Sequence, residues 1–138
     1  MAYADGFLIA VPVKNLAAYK TMAELGAKMW IEHGALDYKE CVGDDLTPEG
    51  MSTSFPQLLA TKKGETVVFS WIVYKNRKHR DEVLKKVMAD ARMKPPEKMP
   101  FDLTRLYMGG FEIVVDRTAK TPPRKAAAKK ATRAKKKA

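Results

Sequence analysis

The run Thr66-Val-Val-Phe-Ser-Trp-Ile-Val-Tyr74 constrains the fold more than any other stretch of this chain. Its β-branched and aromatic residues suit a pleated, packed surface, so it reads as a strand. Successive side chains of a strand point to opposite faces. Val67, Phe69, Trp71 and Val73 therefore share one side, and Val68, Ser70, Ile72 and Tyr74 the other. Both sides are mainly apolar. A strand of that kind lies inside a sheet that is covered above and below.

The remaining segments supply one of the two covers. Phe7–Val11 is a short strand closed by Pro12. Asn15 is placed to cap a helix running to His33. Leu16, Tyr19, Ala23, Gly26, Trp30 and His33 recur at spacings of three and four and form its inward face. Gly34 provides the left-handed stop. Leu36–Val42 alternates as a half-exposed strand, Gly43–Gly50 is a loop, and Phe55–Thr61 is expected as an extended arm before the turn at Lys63-Gly64. Asn76 is placed to cap a second helix, with Val83, Leu84, Val87, Met88 and Ala91 as its apolar stripe. Pro95-Pro96 ends that region. Leu106–Val115 is the last strand, in which Gly109-Gly110 marks a bulge or a close backbone approach.

The order is β-α-β-β-α-β plus an arm, an α+β plan of the ferredoxin-like kind. Its two helices cover one face of the sheet. Phe7-Leu-Ile-Ala-Val11 and Phe111-Glu-Ile-Val-Val115 are apolar on both sides as well, so the second face needs its own layer. The same sheet from a second copy supplies it economically, and a homodimer packed sheet to sheet is expected. The competing arrangement is a monomer whose arm, residues 44–65, folds over the open face.

Charge divides the chain in two. Of 26 Lys and Arg, ten lie in Arg117–Ala138 and the other 16 balance the 16 Asp and Glu. Residues 1–116 read as a neutral globular domain, and residues 117–138 as a disordered basic tail. About 115 residues are enough to bury a core without staples. The one cysteine, Cys41, has no intrachain partner and no zinc-type spacing around it. No basic leader or long apolar run is present, so a cytoplasmic protein with no membrane association is expected.

Six strings are distinctive: Trp30-Ile-Glu-His-Gly-Ala-Leu-Asp-Tyr38, Thr53-Ser-Phe-Pro56, Glu65–Tyr74, His79-Arg-Asp-Glu-Val83, Lys86-Val-Met-Ala-Asp90, and Met99-Pro-Phe-Asp102 followed by Gly109-Gly-Phe111. Taken in order, they resemble the YbaA-like family of bacterial proteins, a domain of unknown function. The resemblance covers roughly residues 1–116 and implies the dimeric α/β-barrel fold. That superfamily includes antibiotic-biosynthesis and haem-degrading monooxygenases. The family itself implies no activity.

The topology places both histidines at one end of the sheet. His33 closes the first helix and His79 opens the second, with Trp30, Tyr38, Tyr74 and Arg80 nearby. Read as a pocket mouth, this end offers His33 and His79 as catalytic candidates. Trp30, Tyr38, Trp71, Tyr74 and Arg80 are candidates for binding a small aromatic or acidic molecule. A histidine near neutrality can take a phenolic proton. Some superfamily members then oxygenate the ligand without a cofactor, so a cofactor-independent monooxygenase-like reaction is one expectation. The plainer reading makes the histidines helix caps and the aromatics core. Haem is not carried over, because His79 stands at the start of its helix. No HxxxH or HExxH pair is present, so neither a metal site nor any cofactor is expected.

The tail has its own reading, and it resembles the Lys/Ala/Pro tails of linker-histone-like proteins. Arg117, Lys120, Arg124, Lys125, Lys129, Lys130, Arg133, Lys135, Lys136 and Lys137 carry the net charge of +10. With no aromatic residue to stack on bases, they would hold DNA or RNA without sequence preference. The alternative function is thus a non-enzymatic module recruited to nucleic acid by this tail.

Overall fold

The computed structural model describes residues 1–119. Nine of the ten tail cations, Lys120 to Lys137, lie outside the described residues, and only Arg117 falls within them. The elements run β1 (Tyr3–Pro12), α1 (Leu16–Glu32), β2 (Asp37–Val42), α2 (Phe55–Leu59), β3 (Glu65–Tyr74), α3 (Arg77–Ala89) and β4 (Leu106–Glu112). Single 3-10 turns at Val13–Asn15 and Leu103–Arg105 lead into α1 and β4. The strands form one antiparallel sheet in the order β2-β3-β1-β4. This is the ferredoxin-like fold with an added arm, as expected from the sequence. The doubly apolar β3 is an inner strand, flanked by β1 and β2.

Register sorts the residues. Phe7 faces Ser70 and Ile9 faces Val68 across β1 and β3, while Tyr38 and Glu40 of β2 face Ile72 and Ser70. These point to the helices. Two buried groups fill that side. One joins Ile9, Val11, Val68, Tyr19, Ala23 and Phe101. The other joins Ile72, Tyr74, Met29, Val83 and Val87. Phe101 comes from the segment between α3 and β4. Its ring meets Tyr19 edge-on, with centroids 5.8 Å apart.

The opposite face is only partly covered. Leu8, Phe69, Trp71, Tyr107 and Phe111 share it by register, and Phe69, Tyr107 and Phe111 are exposed. The arm covers one end. Phe55 of α2 stacks near Phe69 at 6.4 Å, and Leu59 is buried.

Several local expectations need correction. Phe55–Leu59 is a short helix and not an extended arm. Ser54 accepts from the Gln57 N–H while the Gln57 side chain accepts from the Ser54 N–H, a capping box with Pro56 in the first turn. Asn15 does not cap α1 with its side chain; its amide donates instead to the Pro100 carbonyl at 3.0 Å, tying the helix start to the strand-β4 approach. Asn76 does cap α3, accepting from the His79 N–H at 2.8 Å. That helix ends at Ala89, so Ala91 lies beyond it, and Met88 is exposed. β4 stops at Glu112. Gly109-Gly110 is a close approach without a bulge: the register is unbroken, and a Cβ on Gly110 would sit 2.1 Å from the Tyr3 hydroxyl. Gly34 takes the left-handed conformation, φ +116°.

Candidate functional site

Both histidines do stand at one end of the sheet, and each is engaged there. His33 Nε2 lies 2.8 Å from Asp90 Oδ2. Asp90 also accepts from the Arg92 guanidinium, which reaches Glu32. The Arg92 side chain, then its backbone N–H, then His33 hold the Asp90 carboxyl well below the usual carboxylate range. His79 Nδ1 accepts from the Lys75 N–H at 3.0 Å, which leaves Nε2 to carry the proton of the neutral ring. Its Nε2 faces Gly34, where a Cβ would come within 3.3 Å.

Arg80 and Tyr74 belong to a second internal chain of contacts. Arg80 Nη1 donates to Asp5 Oδ1 at 2.7 Å, and its guanidinium lies over the Tyr3 ring. Asp5 is buried in β1. Trp30 Nε1–H donates to the Tyr74 hydroxyl at 3.0 Å. Burial, followed by the Asp5 charge, pushes the Tyr74 phenol above its usual range. Trp71 does not join the group, since it lies on the other face of the sheet, 5.3 Å from Phe69.

The open space lies elsewhere under the helices. An inner, partly open cavity of about 240 Å³ lies between α1, the sheet and the segment before β4, with Phe7, Trp30, Tyr38, Met93 and Phe101 among its walls. An outer groove of about 520 Å³ runs between α1 and β2. The two share Tyr19, Ala23, Tyr38 and Glu40. Of the candidates drawn from sequence, Trp30 and Tyr38 line the inner cavity, while His33, His79, Tyr74, Arg80 and Trp71 line neither space.

Glu40 organises this region. Tyr19 donates to its Oε2 at 2.7 Å and Tyr38 to its Oε1 at 2.9 Å. Accepting on both oxygens is the pattern of an ionised carboxylate. Burial first, and then Glu40, push both phenols far above their usual range, so they stay protonated donors. Tyr38 reaches this position because α1 has no side chain at Gly26, where a Cβ would lie 3.1 Å from the hydroxyl. Ser70, opposite Glu40 in register, is buried and lines the same cavity.

Sequence reasoning missed Tyr19, Glu40 and Ser70 as site residues. The available signal was polarity on an inward face: Glu40 falls in the alternation between Tyr38 and Val42, and Ser70 interrupts an apolar run. Among the described residues, no group of three or more His, Cys, Asp or Glu could hold a metal ion. No helix among them is long and apolar enough to cross a membrane.

Comparison with known proteins identifies the family. The model described as "Protein of unknown function (DUF1428)" matches residues 2–103. The chain belongs to this family. It is 44% identical over 117 residues to the uncharacterised protein YbaA of Escherichia coli K12, covering 84% of this chain and 99% of the relative. The same identity and coverage hold for YbaA of Shigella flexneri. Among solved structures, Rv0793 from Mycobacterium tuberculosis is similar over 86% of this chain and 100% of its own, at 10% identity and a TM-score of 0.46. The fold assignment itself rests on the strand order.

Proposed function

We propose that this domain binds a small, ring-sized molecule in the cavity between α1 and the sheet. One observation carries the reading: a carboxylate, Glu40, held by two tyrosine hydroxyls at the boundary between an accessible groove and an aromatic-walled cavity. Mostly apolar walls with a few convergent polar groups are the common make-up of ligand sites. The acidic-ligand half of the earlier expectation loses its support, since Glu40 is the only charged residue among the cavity's walls. Oxygenation is not included in the proposal, because His33 and His79, the bases it would use, line neither space.

The active form in this proposal is a homodimer. The support is the uncovered apolar face carrying Leu8, Phe69, Trp71, Tyr107 and Phe111, which the arm covers only at one end. A second copy of that face would complete the missing layer. Native mass spectrometry of the protein purified from its natural source tests both points. A dimer carrying a discrete extra mass is expected. Ala23→Leu, which fills the shared wall, should give the dimer without that mass, and Phe111→Lys should give a monomer. A wild-type monomer would refute the assembly, and an extra mass retained by Ala23→Leu would refute the site.

A second reading concerns the tail. We infer from its ten cations and lack of acidic residues that Arg117–Ala138 attaches the domain to nucleic acid. If all ten engage B-DNA, log K should fall with log salt at a slope of about −9. Full-length protein with these ten residues changed to Gln should bind weakly and with a shallow slope. Equal binding by both forms would refute this reading.

A further inference from the structure

The chemistry of the inner cavity is specific enough to name the class of its occupant. This inference rests on the proposed function above, that the cavity is the ligand site. The walls hold five aromatic rings, from Phe7, Tyr19, Trp30, Tyr38 and Phe101, and one charge, that of Glu40. No Lys, Arg or His is among them. Lys20 borders only the outer groove, where Glu24 and Glu40 outnumber it.

Glu40 has acceptor capacity left over. A carboxylate offers about four lone-pair positions, and the two tyrosine hydroxyls occupy two of them. The tyrosines stay neutral, so they fix the carboxylate without cancelling its charge. An anion entering the cavity would meet this charge with no cation to offset it. A neutral molecule would gain one ordinary hydrogen bond. An ammonium group would gain a charge-assisted hydrogen bond at Glu40 and the attraction of the surrounding ring faces. The Ser70 hydroxyl, across from Glu40 on β3, offers a second acceptor to the same group.

Size limits the remainder of the molecule. A dry cavity of about 150 Å³ admits benzene. The partly open space of about 240 Å³ here has room for a single ring with a short arm.

We propose that the inner cavity binds a small aromatic or apolar amine, with its ammonium group on the Glu40 carboxylate and its ring among Phe7, Trp30 and Phe101. The test uses three probes of one shape and different charge: benzylamine, benzyl alcohol and benzoate. Each is titrated into the full chain by NMR, following the Trp30 indole N–H, which is identified by its loss in Trp30→Phe. Benzylamine should bind about tenfold or more tightly than benzyl alcohol, and benzoate should leave the signal in place. In Glu40→Gln, benzylamine should fall to the affinity of benzyl alcohol while benzyl alcohol stays nearly unchanged. Because the ranking is measured on the wild-type chain, it does not depend on the variant folding. If benzyl alcohol or benzoate binds as tightly as benzylamine, the amine assignment is overturned and the cavity reading stands. If none of the three moves the Trp30 signal, the cavity reading fails along with it.

Discussion

The two polar regions under the helices are built from similar residue types and end in opposite states. At the histidine end, four groups find partners inside the protein: His33 with Asp90, His79 with the Lys75 N–H, Arg80 with Asp5 and Asp81, Trp30 with Tyr74. At the α1–β2 side, Glu40 is also held, by Tyr19 and Tyr38, but it borders empty space on two sides. What separates them is the space beside them: Glu40 borders two open volumes that His33, His79 and Arg80 do not line. In the proposed reading the first region braces β1, α1 and α3, and the second binds the ligand.

This contrast predicts how each region answers to mutation. The largest effect belongs to the bracing. Asp5→Ala takes from Arg80 the more buried of its two carboxylate partners and leaves the exposed Asp81, with the Asp5 and Arg80 side chains 5% and 16% exposed in the wild type. Orphaning a buried charge costs about 3 kcal/mol or more; with Asp81 still paired, a loss of about 2 kcal/mol is expected, which urea unfolding would register. A loss below about 1 kcal/mol would mean that Asp5 is not a brace.

Tyr74→Phe should come next. It removes the acceptor of the Trp30 indole N–H in a fully buried position. An orphaned buried donor costs about 1–2 kcal/mol, visible as a lower denaturation midpoint. The Trp30 indole N–H resonance should shift as well, since it loses its partner. An unmoved resonance would show that the bond is absent in solution.

Glu40→Gln should be milder for stability, at about 1 kcal/mol or less, because the amide still presents one acceptor and can donate to the other phenol. Its effect belongs to ligand binding. A loss as large as that of Asp5→Ala would place Glu40 among the braces and erase the distinction between the two regions.

The smallest effect is a pH dependence. Asp90 is held below its ordinary value of 3.8, chiefly by Arg92. A carboxyl whose folded value is depressed stabilises fully above its unfolded value, and that contribution fades as pH falls toward the folded value. Wild type should therefore lose more stability than Asp90→Asn on acidification below about pH 4. Parallel acid profiles of the two proteins would rule out this coupling.

The framework was legible in the sequence because burial patterns encode it. The double apolarity of Thr66–Tyr74 identified an inner strand, and Asn76 and Gly34 marked helix ends by the physics of capping. The arm helix was overlooked although Ser54, Pro56 and Gln57 spell a capping box, because its five residues show no periodicity. Asn15 misled for a different reason: a long-range bond to Pro100 outcompetes the local cap. The histidines were drawn together correctly by topology. His33 pairs with Asp90, distant in sequence and announced by nothing local, while His79 accepts from the nearby Lys75 N–H. Glu40 was passed over because an acidic residue in a half-exposed strand reads as a solvated one. The alternation puts it on the inward face, but its partners Tyr19 and Tyr38, the latter seated in the gap left by Gly26, are visible only in the tertiary structure.

The most direct test of the central claim sets the two regions side by side. Wild type, the double variant His33→Ala/His79→Ala, and Glu40→Gln would each be expressed in the natural source and weighed intact by native mass spectrometry. The account predicts that the histidine variant keeps the bound small molecule and that Glu40→Gln loses it. Loss from the histidine variant with retention by Glu40→Gln would contradict the account and return the site to the histidine end.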